Sequence, residues 1–95
     1  MSYYVVCIEK HPYHSDPHTR IEAIGTNEIR GASSYSKRWP VADVISAIKR
    51  GAVFYSTDRK GDLVKVVVAS HNGREYIKTE ADGVRPDNLL AKPEC

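Results

Sequence analysis

Short apolar runs broken by turn-forming residues make up most of the chain, and one segment has a different period. YYVVCIEK (3–10) is rich in β-branched and aromatic residues and stops at the turn signal His11-Pro12, which predicts a strand buried on at least one face. RIEAIG (20–25) alternates loosely through Ile21, Ala23 and Ile24 and is closed by Gly25, a second short strand. TNEIRGASSYSKR (26–38) holds turn formers without a sustained period and reads as a loop. In PVADVISAIKR (40–50), Val41, Val44, Ile45 and Ile48 fall at i, i+3, i+4 and i+7, one apolar stripe of a helix. Pro40 suits the first helical position, Asp43 and the pair Lys49, Arg50 match the helix dipole, and Gly51 suits a left-handed cap.

Strand character returns at VFYST (53–57), followed by the turn DRKGD. LVKVVVAS (63–70) and REYIKT (74–79) flank His71-Asn72-Gly73, where Asn-Gly is a strong hairpin signal. A two-residue type I′ loop sets Val68 opposite Ile77 and Val66 opposite Thr79. Val64, Val66, Val68, Ile77 and Thr79 then share the core face, and Lys65, Val67, Ala69, Tyr76 and Lys78 share the other. In the tail ADGVRPDNLLAKPEC, Asp82-Gly83 marks a turn and Asp87 is placed to cap one helical turn whose Leu89 and Leu90 close the core.

The expected fold is therefore α+β: a mainly antiparallel sheet of about five strands with one central helix on one face, in the order β-β-α-β-β-β, and a short C-terminal helical turn. Ninety-five residues suit a single domain, 1–95, burying roughly two-thirds of its unfolded surface. A net charge of +2 is too small by itself to imply nucleic acid or a membrane surface. No stretch approaches the length of a membrane span, and MSYYVVCIEK lacks the basic start of a signal peptide, so a cytoplasmic protein without membrane attachment is expected. Cys7 and Cys95 belong to no C-x-x-C pair. One disulfide between them is open, but a reduced pair is the expectation in that compartment.

With these elements placed, the chain resembles the small bacterial proteins grouped as domain of unknown function 3892. The blocks that carry the resemblance are H-T-R-I-x-x-I-G (18–25), the helix from near Trp39 to Gly51, V-F-Y (53–55), Y-I-K-T-x-x-D-G (76–83) and N-L-L-x-x-P-E-C (88–95). They run from His18 to the end of the chain, and the first strand is compatible as well. His11 and His14 lie outside them, and Trp39-Pro40 stands where a serine cap is expected. The resemblance implies an independent domain and carries no activity.

Candidate chemistry is sparse. HPYHSDPHTR (11–20) gathers His11, His14, Asp16 and His18, ligand types suited to zinc, copper or nickel. Pro12 and Pro17 forbid the regular helix that would converge them, so a polar connection with an Asx-turn at Asp16 is favoured over a metal site. Thr79, Asp82, Asp87 and Asn88 lack the spacing of an EF-hand loop and read as turn and cap formers. No G-x-S-x-G, H-E-x-x-H or phosphate-cradling glycine loop occurs, so neither an enzyme nor a cofactor is expected. Lys65, Arg74, Tyr76 and Lys78 interleave basic and aromatic groups on the second hairpin face, a pattern on which single-stranded nucleic acid stacks. Val67 and Ala69 on that face suggest instead that something covers it. The leading expectation is a non-catalytic interaction module contacting a protein partner or its own copy. Metal binding through the 11–18 loop and nucleic-acid binding are the alternatives.

Overall fold

A computed structural model describes residues 2–12, 16–58, 60–83 and 86–95. Six strands and two helices follow one another as β1 (Ser2–Lys10), β2 (Ile21–Asn27), β3 (Lys37–Pro40), α1 (Val41–Lys49), β4 (Val53–Thr57), β5 (Leu63–His71), β6 (Arg74–Thr79) and α2 (Asp87–Leu90). The sheet order is β3-β2-β1-β4-β5-β6, antiparallel except where Ser2–Tyr4 run parallel to Val53–Tyr55. The α+β expectation holds, with one strand more than expected. β3 lies inside and just after the segment read as a loop. It is a four-residue edge strand whose Lys37, Arg38 and Pro40 are exposed, so it has no apolar alternation to detect. Its one inward residue, Trp39, is buried, and the indole Nε1 donates to Thr26 Oγ1 at 2.9 Å.

Val5, Ile8, Ile21, Ile24, Trp39, Val44, Phe54, Val66, Ile77 and Leu89 form one buried cluster, joined at its rim by Val41, Ile45 and Ile48. All four residues of the expected helical stripe thus reach the core, with Val44 fully enclosed. Phe54 is the aromatic hub: Tyr3 stacks on it at 5.1 Å and Trp39 meets it edge-on at 5.1 Å. Pro40 is the residue before the first helical turn rather than within it, because its φ of −56° and ψ of 146° still belong to β3. At the other end Gly51, with φ 102°, donates to Ile48 O while Ala52 donates to Ala47 O, which completes a Schellman cap.

On the reverse face of β2 the side chains shrink to Ala23 and Gly25. Arg38 of β3 reaches across β2 to Glu9 of β1, its Nε and Nη2 donating to the two carboxylate oxygens at 2.6 and 3.1 Å. A Cβ at Gly25 would sit 2.6 Å from Cys7 Sγ and 2.7 Å from Tyr35 Cγ, so the glycine is required by close approach and not by its backbone angles. Cys7 is bonded to Cys95, which overturns the expectation of a reduced pair. The cause is a strand pairing the sequence does not announce. Beyond Tyr4, β4 no longer pairs with β1, and the tail takes over: Ile8 N donates to Pro93 O and Cys95 N donates to Ile8 O, each at 2.9 Å. That bridge brings the two cysteines together.

The hairpin has the expected register, Val68 opposite Ile77 and Val66 opposite Thr79. Asn72 and Gly73 both take positive φ, 51° and 79°. β5 is divided between partners: Leu63–Lys65 pair with β4, Val66–His71 with β6. Thr79 is buried and its hydroxyl donates to Asp82 Oδ2 while accepting from Asn88 Nδ2. Asp82 Oδ1 takes the Asn88 N–H at 3.2 Å. Asp82 therefore satisfies a donor at the start of α2, and Asp87 stands as the first residue of the helix and not as its cap. The residue before that helix is Pro86.

Candidate functional site

The β1–β2 connection meets the tip of the β5–β6 hairpin, and the chemistry-bearing side chains collect at that junction. Asp16 organises the connection. Its Oδ1 accepts from the backbone N–H of His18 at 3.0 Å and from His18 Nδ1 at 2.9 Å, and Thr19 N donates to Asp16 O at 3.1 Å. This is the Asx-turn expected ahead of Pro17. The two bonds from His18, backbone N–H first and imidazole second, hold the Asp16 carboxyl below its ordinary pKa.

Because a carboxylate only accepts, the Asp16 bond makes Nδ1 the donor and leaves Nε2 of the neutral ring as an acceptor. Nε2 is buried and has no hydrogen-bond partner among the described residues. The His18 ring lies flat on His71, with centroids 3.8 Å apart and planes 8° from parallel, and meets Tyr76 edge-on at 4.9 Å. The hairpin register supplies both contacts: His71 pairs with Arg74 and Ala69 with Tyr76, so His71 and Tyr76 share one face. Asp16, His18, His71, Arg74 and Tyr76 line a cleft of about 430 Å³.

Two residue sets that the sequence offered separately therefore contribute to one place: Asp16 and His18 from the loop, Arg74 and Tyr76 from the hairpin. The other candidates stand elsewhere. His11 donates its backbone N–H to Arg20 O, and its Nδ1 lies 3.9 Å from Glu22. His14 lies outside the described residues. Lys65 is exposed and pairs with Tyr55 on β4, while half-buried Lys78 donates to Asp82 O at 3.2 Å. Tyr76 is 5% exposed, its ring covered by His18, so it does not offer a free stacking face. Among the described residues no three His, Cys, Asp or Glu side chains converge as metal ligands. His18 and His71 could not share an ion as stacked, because imidazole binds metal in its ring plane at about 2.0–2.1 Å and these planes are parallel and separated. His71 was missed in the sequence. Its signal was its position directly before Asn72-Gly73, where it closes the hairpin on the face of Tyr76.

A family model described as Protein of unknown function (DUF3892) matches residues 4–93. The chain belongs to the DUF3892 family. No curated protein and no solved structure matches it. The match takes in β1 from Tyr4 onward, the other five strands and the cleft, including residues 11–17, which precede the blocks that carried the resemblance.

Proposed function

We propose that this DUF3892 chain is a non-catalytic interaction module that contacts a polypeptide, either a protein partner or a second copy, through the cleft between the β1–β2 connection and the hairpin tip. The observation that carries the reading is the Nε2 of His18: Asp16 and His71 fix the ring, yet its second nitrogen has no donor among the described residues. A buried acceptor left unmade costs stability, and a partner's backbone or side-chain N–H would satisfy it. Exposed Arg74 beside it adds a cation that favours an acidic neighbour.

Cytoplasmic residence, part of the same reading, carries a chemical condition. Cytosolic thiols are kept reduced, so there the Cys7–Cys95 bond would open and the backbone bridge at Ile8 would hold the end of the tail without it. Among the described residues no helix is long and apolar enough to cross a membrane.

A photo-crosslinking side chain at Asn72 or Arg74, compared with one at Ser46 on the exposed side of α1, tests the cleft, alongside sedimentation over a concentration series. Crosslinks to one defined polypeptide from 72 and 74 but not 46, weakened by His71→Ala, are expected. A strict monomer with no position-dependent crosslink removes the reading.

A further inference from the structure

We propose a second binding site, for a small organic anion with a flat apolar body, on the reverse face of the sheet between Tyr4, Tyr55, Arg30 and Lys92. It is independent of the hairpin cleft and shares no residue with it.

The strand pairing builds its aromatic wall. Tyr4 and Tyr55 are partners in the parallel β1–β4 register, so their side chains project to the same face, opposite Tyr3 and Phe54 in the core. The two rings stack at 5.7 Å, 22° from parallel. Gly31 and Ala32 of the β2–β3 connection also line the recess, which holds about 230 Å³, small for a drug-sized molecule but enough for a single ring with an acidic group.

Cations sit at its edge without counter-ions. Lys92, half-buried, donates from Nζ to Thr57 Oγ1 at 2.9 Å and forms no ion pair with any described residue. Arg30, exposed on the same rim, forms none either. A partly buried ammonium is less well solvated than one in open water, and an incoming carboxylate or phosphate monoester offers it a charge-assisted bond. Burial holds the Lys92 amine below its ordinary pKa, and a bound anion would raise it again.

The test is amide NMR mapping with benzoate and phenyl phosphate, against benzyl alcohol and inorganic phosphate, on the whole chain. Both aromatic anions are expected to shift amides within 4–6, 30–32 and 55–57. Lys92→Gln should weaken them by about tenfold or more, since bonds to charged groups are the strong ones, and Lys92→Arg should restore part of the loss. Affinity should also fall as pH rises through the lowered Lys92 pKa. Should Lys92→Gln fail to fold, Arg30→Gln and Tyr55→Ala carry the same comparison. Shifts that are absent, that lie elsewhere, or that survive these substitutions unchanged overturn the site. Equal binding of inorganic phosphate or benzyl alcohol overturns the ligand class. Neither result touches the hairpin cleft, whose residues are different.

Discussion

His18 and His71 lie ring on ring, 3.8 Å between centroids, and this stack, with the edge-on meeting of His18 and Tyr76, ties the β1–β2 connection to the hairpin. Asp16 fixes one ring from the loop side, and the pairing of His71 with Arg74 fixes the other from the sheet side. Tyr76 is buried as a consequence, so the second hairpin face has a cover of its own. His71→Ala is expected to cost about 1 kcal/mol, the scale of an aromatic pair beyond its buried area, and to expose Tyr76. Urea unfolding followed by tyrosine fluorescence measures both. An unchanged midpoint would mean that the stack is a contact without energetic weight.

Acid should act on the same junction through Asp16. Its folded pKa lies below 3.8, the value it returns to on unfolding, because His18 donates to it. The stabilisation is therefore complete above that value and is lost as pH falls through the lowered folded pKa. A pH series of melting temperatures for the wild type and Asp16→Asn should show a constant gap near neutrality that closes in strong acid. A gap independent of pH would place the effect of the substitution outside the carboxylate.

Phe54 and Ile48 grade the core. Phe54 is fully buried between Tyr3 and Trp39, and Phe54→Ala should cost about 3–5 kcal/mol. Ile48 only packs against the rim, so Ile48→Ala belongs at the low end of its class, about 2 kcal/mol. Equal losses in chemical denaturation would contradict this order.

Gly25→Ala tests the close approach on the reverse face. The new methyl meets Cys7 Sγ and the Tyr35 ring, and overpacking of this kind costs about 1–3 kcal/mol. Tyr35 is partly exposed and can move aside, whereas Cys7 is held by its bond to Cys95. Adding Tyr35→Ala should therefore restore some of the lost stability but not all of it.

Removing that bond tests stability from the other end of the chain. Cys95→Ser should cost about 2–4 kcal/mol, since the link closes most of the chain into a loop. Ile8, hydrogen-bonded to both Pro93 and Cys95, should then lose amide exchange protection before the hairpin does.

Legibility followed sequence distance. The helix, its Schellman end and the hairpin register were readable because each is decided within a few residues by period, glycine placement and turn chemistry. β3 was not, because Lys37–Pro40 is held by Trp39 reaching Thr26 and by Arg38 reaching Glu9 across a neighbouring strand. Asp16 and His18 were singled out in one segment and Arg74 and Tyr76 in another. What joins them, the meeting of His18 with His71, is a tertiary contact with no local signal. The disulfide was illegible for the same reason, being set by the tail filling an edge that β4 leaves.

The parallel pairing of β1 with β4 also gives this protein a schedule. The hairpin around Asn72-Gly73 closes a short loop, an event of microseconds. Bringing Ser2–Tyr4 beside Val53–Tyr55 must instead wait for everything between them to be collected, and the bridge from Ile8 to Glu94 must wait longer still. Until both are made, the edge of β1 opposite β2 displays unpaired amides and carbonyls to any neighbouring chain. The earliest strand in the sequence is the last to be enclosed, and crowded refolding is where that exposure will be felt.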